Sequence, residues 1–162
     1  MDLDVKNILI LTADAGFGHR SAANAIAAAL KQQYADRCNV TIYNPLDEKI
    51  TPAFLRETQT DYDKIVRKMP DFYKLNYQIS DSSLPSAALE SAFTVLLFST
   101  IRLMFKKYKP DVILTTHPFY MAPLNAYITL RKLPVPFITV ITDLTNVHRV
   151  WFNQGADYCM LP

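Results

Sequence analysis

The chain has 162 residues, 50% of them hydrophobic and 20% charged, with 17 Lys and Arg against 15 Asp and Glu. This composition excludes disordered and collagen-like chains and describes one folded domain, since a chain of this size buries about 70% of its unfolded surface without disulfides or a structural metal. A formal net charge of +2 lacks the clustered basic footprint of a nucleic-acid binder, so no nucleic acid is expected as a partner.

The two cysteines, Cys38 and Cys159, lie far apart and have no partner at metal-ligand spacing. They read as ordinary buried thiols, with pairing of the two as the lesser alternative. No signal-like apolar stretch opens the chain at Met1-Asp2-Leu3-Asp4, which places it in the cytoplasm as an expectation. There are 3 glycines, and two of them, Gly16 and Gly18, share one short loop. That loop is expected to need a special backbone.

Asn7 to Thr12 (NILILT) is a short, almost uniformly apolar run that suits a strand buried on both faces of a parallel sheet. The glycine loop follows at once. Arg20 to Tyr34 is alanine-rich, has high helix propensity and carries small residues on nearly every face, which lets it approach a sheet closely. Asn39 to Asn44 alternates as a second strand. Thr51 to Met69 and Asp71 to Ile79 read as shorter helices separated by Pro70, and a longer helix is expected from Pro85 to Tyr108. Pro110 stops it. Asp111 to Thr116 reads as a third strand, Ala122 to Leu130 as a helix, Pro136 to Thr142 as a fourth strand and Tyr158 to Leu161 as a last short one.

Strands alternating with helices imply an α/β fold, a Rossmann-like open parallel sheet with helices on both faces. No internal repeat or linker divides the chain. The closing strand has no helix after it to cover its sheet face, which suggests one lobe of a larger protein. Ala87 to Phe105 is apolar, but Glu90, Ser91, Thr94, Ser99, Thr100 and Arg102 interrupt it, so it does not cross a bilayer. It reads either as a core helix packed on the sheet or as an interfacial one, with Lys106, Lys107 and Lys109 suited to its C-terminus.

In open α/β sheets ligands bind beyond the carboxyl ends of the strands. All three histidines follow predicted strands: His19 after the first, His117 after the third and His148 shortly after the fourth. Asp14 and Asp143 fall on the same rim. In Gly16-Phe17-Gly18-His19-Arg20-Ser21 the glycines permit close backbone approach, and the N–H groups that open the helix can face an anion. A histidine at a helix N-terminus is kept neutral by the dipole, so His19 reads as a general base or as a brace for the loop.

A dinucleotide fingerprint is only partly matched, because Ser21 takes the third glycine's place and the second strand ends at Asn44 instead of an acidic residue. A Walker A loop is excluded by the lack of Gly-Lys-Ser/Thr after the glycines. No two histidines share helical ligand spacing, so no metal site and no cofactor are expected. A non-catalytic small-ligand or nucleotide-binding module using the same rim is the alternative reading.

Three blocks, ILILTADAGFGHRSAANAI, PDVILTTHPF and TVITDLTNVHRVWFNQGADYCMLP, carry a family resemblance from about Asn7 to Pro162. The chain resembles the N-terminal domain of monogalactosyldiacylglycerol synthases and the related processive diacylglycerol glucosyltransferases. The resemblance implies a GT-B glycosyltransferase that moves galactose or glucose from a UDP-sugar to diacylglycerol with inversion. On that basis residues 1–162 would be the acceptor-side domain, and the domain holding most of the nucleotide sugar would be absent from this chain.

Position by position, the resemblance makes His19 the catalytic base and puts Gly16, Phe17 and Gly18 in the loop beside the donor diphosphate. It assigns Asp143, His148 and Trp151 to the acceptor side of the cleft, with His117 lining it or ending the third strand. Where the family commonly has Gly-Gly-Gly-His, this chain has Gly16-Phe17-Gly18-His19 after Ala15. A lipid acceptor further implies a peripheral membrane association, with aromatic and basic residues between Phe54 and Lys109 meeting an anionic surface.

Overall fold

The computed structural model of the protein describes residues 5–14, 17–57, 59, 83–144, 147, 149–152 and 155–162. Five strands form one parallel sheet: β1 (Lys6–Leu11), β2 (Cys38–Tyr43), β3 (Val112–Thr115), β4 (Phe137–Val140) and β5 (Tyr158–Met160). Among the described residues three long helices accompany them: α1 (Phe17–Tyr34), α2 (Ser83–Tyr108) and α3 (Met121–Arg131). The strand order is β2-β1-β3-β4-β5, an open Rossmann-like arrangement. The order reverses between β1 and β3. In open α/β sheets such a reversal, at the carboxyl ends of the strands, is where ligands bind.

From Ile8 to Leu11 β1 is unbroken apolar sequence because its two faces meet two different cores. Ile8 and Ile10 face Ala23, Ile26, Ala27 and Leu30 of α1, whose alanines let the helix lie close to the sheet. Leu9 and Leu11 point the other way, into a larger cluster built with α2 and α3. Along α2, Phe93, Leu97, Ile101, Met104 and Phe105 are buried at helical spacing. The core reading of this helix holds. Its polar interruptions fall partly outward, as at Arg102, and partly inward, where the buried Thr100 hydroxyl lies 2.9 Å from that of Thr51. Among the described residues no helix is long and apolar enough to cross a membrane.

Two aspartates set the strand register by one device. Asp111, just before β3, accepts from Asn7 N–H at 2.7 Å and donates its own N–H to Asn7 carbonyl at 2.8 Å. Asp157, just before β5, repeats this with Phe137, at 2.8 Å in both directions. Each satisfies backbone groups that a strand start would otherwise leave unpaired.

Most element boundaries agree with the sequence to within two or three residues. α1 begins at Phe17 and not at Arg20, so Gly18 and His19 belong to its first turn. Gly18 does not take a left-handed backbone, and a Cβ there would meet nothing within 4 Å. At that position the expected special backbone is absent. The glycine that the fold demands is Gly155, where a Cβ would collide with the Asn125 side chain of α3. Of the two helices expected between Thr51 and Ile79, residues 53–57 are helical, and most of the remainder lies outside the described residues.

Cys38 is buried on β2 and Cys159 is exposed on β5, at opposite edges of the sheet. Four strand spacings of about 4.8 Å separate them, well beyond disulfide reach. Cys159 therefore departs from the expectation of two buried thiols, since β5 is the outer strand and all three of its residues are exposed.

Candidate active site

Among the described residues, three chain segments that leave strand ends meet near the strand-order reversal. The first turn of α1, reached from β1, carries His19. The exit of β3 supplies Thr116 and His117, and the exit of β4 supplies Thr142 and Asp143. A short 3-10 turn, Arg149–Phe152, brings Trp151 against them.

Thr116 holds His19 twice. Its carbonyl lies 2.7 Å from His19 Nδ1, and its hydroxyl donates to the His19 carbonyl at 3.0 Å. A carbonyl only accepts, so Nδ1 carries the ring proton and Nε2 is left with its lone pair. Burial pushes the His19 pKa below its ordinary value, opposed by the Thr116 carbonyl and by the negative charge of Asp143. The ring is thus neutral near pH 7 and has its basic nitrogen unprotonated.

His117 is almost fully buried, with its ring centroid 4.4 Å from that of His19 in an edge arrangement. Its Nδ1 accepts from Phe119 N–H at 3.3 Å, which puts its proton on Nε2. Burial, and then the proximity of His19, hold its pKa well below the usual histidine value. His117 therefore both ends β3, by capping the turn at Pro118–Tyr120, and walls the His19 ring.

The Asp143 carboxylate accepts from the Trp151 indole Nε1 at 2.6 Å. Trp151 is 2% exposed, and its ring centroid lies 6.2 Å from that of His19. On the other side of the helix start, Asp14 and Arg20 form a two-pronged pair, Nε to Oδ1 at 2.7 Å and Nη2 to Oδ2 at 2.9 Å. Hydrogen bonding from Arg20 lowers the Asp14 pKa. The pair spans the glycine loop and ties its two ends.

The structure thus brings together His19, His117, Asp143 and Trp151, with Gly18 on the same helix turn. Gly16 and His148 lie outside the described residues, and the Phe17 side chain is likewise not described. Thr116 and Thr142 are the site residues that sequence reasoning left as mere strand ends. The available signal was a threonine directly before a rim His or Asp at the ends of β3 and β4.

Residues 19–162 match the family model described as monogalactosyldiacylglycerol (MGDG) synthase. Among curated relatives, the monogalactosyldiacylglycerol synthase of Spinacia oleracea is 29% identical over 97% of this chain and 30% of its own length. Monogalactosyldiacylglycerol synthases 1 and 3 of Arabidopsis thaliana are 30% and 31% identical, over 97% and 98% of this chain and 30% and 34% of their own. All three are named as chloroplastic. The chain spans about a third of the length of these relatives, and it belongs to the monogalactosyldiacylglycerol synthase family.

Proposed function

We propose that this chain is the acceptor-side domain of a GT-B glycosyltransferase, transferring a hexosyl group from a UDP-sugar to the hydroxyl of diacylglycerol. The observation that carries the reading is the unprotonated Nε2 of His19, fixed by the carbonyl bonded to its other nitrogen. His19 takes the acceptor hydroxyl's proton as that oxygen attacks the anomeric carbon in line. The bond from that carbon to the diphosphate breaks with its electron pair, and the nucleoside diphosphate leaves on the far side. Inversion follows from the single displacement.

Gly18 supports a place for the diphosphate, since an added side chain would fill open space at the start of α1, where N–H groups and the helix dipole favour an anion. A second domain would hold the nucleotide sugar, and the relatives' names support galactose over glucose as the hexose. The enzyme would work at a membrane surface, where its acceptor resides.

The test is His19→Ala in a protein that joins this chain to its nucleotide-sugar domain. A base predicts a kcat loss of about a hundredfold or more with little change in acceptor affinity. Weaker acceptor binding at unchanged kcat would instead support a binding module without catalysis. Turnover by the 162-residue chain alone would refute the division into two halves.

A further inference from the structure

Thr142 lies 123 residues from His19 in sequence, and its Oγ1 is 2.7 Å from His19 Nδ1, the same distance as the Thr116 carbonyl. Nδ1 has a single proton. Were the Thr142 hydroxyl the donor, Nδ1 would have to be a bare lone pair, and the Thr116 carbonyl oxygen would sit at 2.7 Å against it in electrostatic repulsion. The arrangement free of that repulsion has the Nδ1 proton shared between two acceptors, the carbonyl from the β3 exit and the hydroxyl from the β4 exit.

We propose that Thr142 is a positioning residue for the base, its hydroxyl accepting from His19 Nδ1–H alongside the Thr116 carbonyl and holding the ring against rotation. This rests on the reading of His19 as the base. One acceptor fixes which nitrogen bears the proton but lets the ring swing about that bond. A second acceptor on another strand exit confines the plane, and with it the direction of the Nε2 lone pair. Both acceptors strengthen once the ring is protonated, because a hydrogen bond from imidazolium is charge-assisted. Among the described residues, the other titratable groups facing His19 are Asp143, which stabilises the imidazolium, and His117, which stays neutral beside it.

The substitutions are Thr142→Val, which keeps the branched shape and removes the acceptor, and Thr142→Ser, which restores it. In the 162-residue chain, NMR titration of His19 should show a lower pKa in the Val variant and faster water exchange of the Nδ1 proton, with the Ser variant close to the parent. In the protein carrying both domains, Thr142→Val should lower kcat about ten- to hundredfold with KM little changed, the size of a lost hydrogen bond to a charged group. The acidic limb of its pH–rate profile should move to lower pH, and Ser should recover most of the loss.

An unchanged His19 pKa and acidic limb in the Val variant would overturn the proposal. So would a Ser variant as impaired as Val. The two readings fail separately: full turnover after His19→Ala would remove the base, whereas the NMR titration would still decide whether Thr142 holds the ring.

Discussion

Cutting the link between Trp151 and Asp143 should cost stability and lower the His19 pKa at the same time. The indole N–H donates to the carboxylate at 2.6 Å from a side chain that is 2% exposed. A hydrogen bond to a charged group contributes about 1.5–3 kcal/mol. Because Asp143 is half-buried, solvent competes for its carboxylate, and a coupling of about 1 kcal/mol is the reasonable expectation.

Trp151→Phe adds the loss of buried ring volume to that, for a total of about 2–4 kcal/mol. A double-mutant cycle with Asp143→Ala separates the two contributions. Trp151 is the only tryptophan, so urea unfolding of the four chains is better followed by circular dichroism than by fluorescence. A coupling within about 0.5 kcal/mol of zero would show that the bond does not persist in solution, and the account of how Asp143 is held would fall with it. Where the bond does persist, freeing the carboxylate in Trp151→Phe should also lower the His19 pKa, since Asp143 opposes the effect of burial on that ring.

Acid should destabilise the domain well before its carboxylates titrate. His19 and His117 are both depressed from 6.5, so in the window below that value the unfolded chain binds more protons than the native one. Stability must then fall with pH, and melting temperatures at pH 7.5 and 5.0 should differ more in the parent than in His117→Gln. The Asp14 contribution, tied to Arg20, is lost only below about pH 4 and does not overlap. Gly155→Ala should cost about 1–3 kcal/mol in urea unfolding through its collision with Asn125, and far less in an Asn125→Gly background. Vesicles with anionic lipid should recruit the domain through a groove of about 700 Å³ that carries Arg102, Lys106, Lys109 and Arg131 and no acidic side chain among the described residues. At about 1 kcal/mol per cation, Arg102→Glu with Lys106→Glu should reduce partitioning about 30-fold or more, and a salt-insensitive association would refute this electrostatic docking.

How much was legible in the sequence follows from the range of each interaction. β1 was readable because burial on both faces leaves an unbroken apolar run, and α1 because its alanines carry high helix propensity. The convergence of His19 and His117 was readable from strand ends alone, since a parallel sheet brings every such end to one rim. The pairing of Thr142 with His19 was not, because it is set by which strands sit next to one another and no local spacing reports that. Glycine misled in the opposite direction. Gly18 looked like a backbone requirement and is an ordinary helical residue. Gly155 looked incidental, and its need arises only from contact with a helix about 30 residues earlier.

The placement of His19 also resolves a conflict between two demands on the base proposed for this site. A histidine that must be neutral near pH 7 is helped by burial, yet burial alone makes a poor base because the proton it receives is equally unwelcome. Here the depression comes first from burial, while the groups that favour the imidazolium, the Thr116 carbonyl and the Asp143 charge, come from two other strand exits. They cost nothing to reorganise as the proton arrives, being fixed by β3 pairing and by the Trp151 bond. A site assembled across the strand-order reversal can set these opposing effects independently, one per strand exit, and a base carried on a single loop could not.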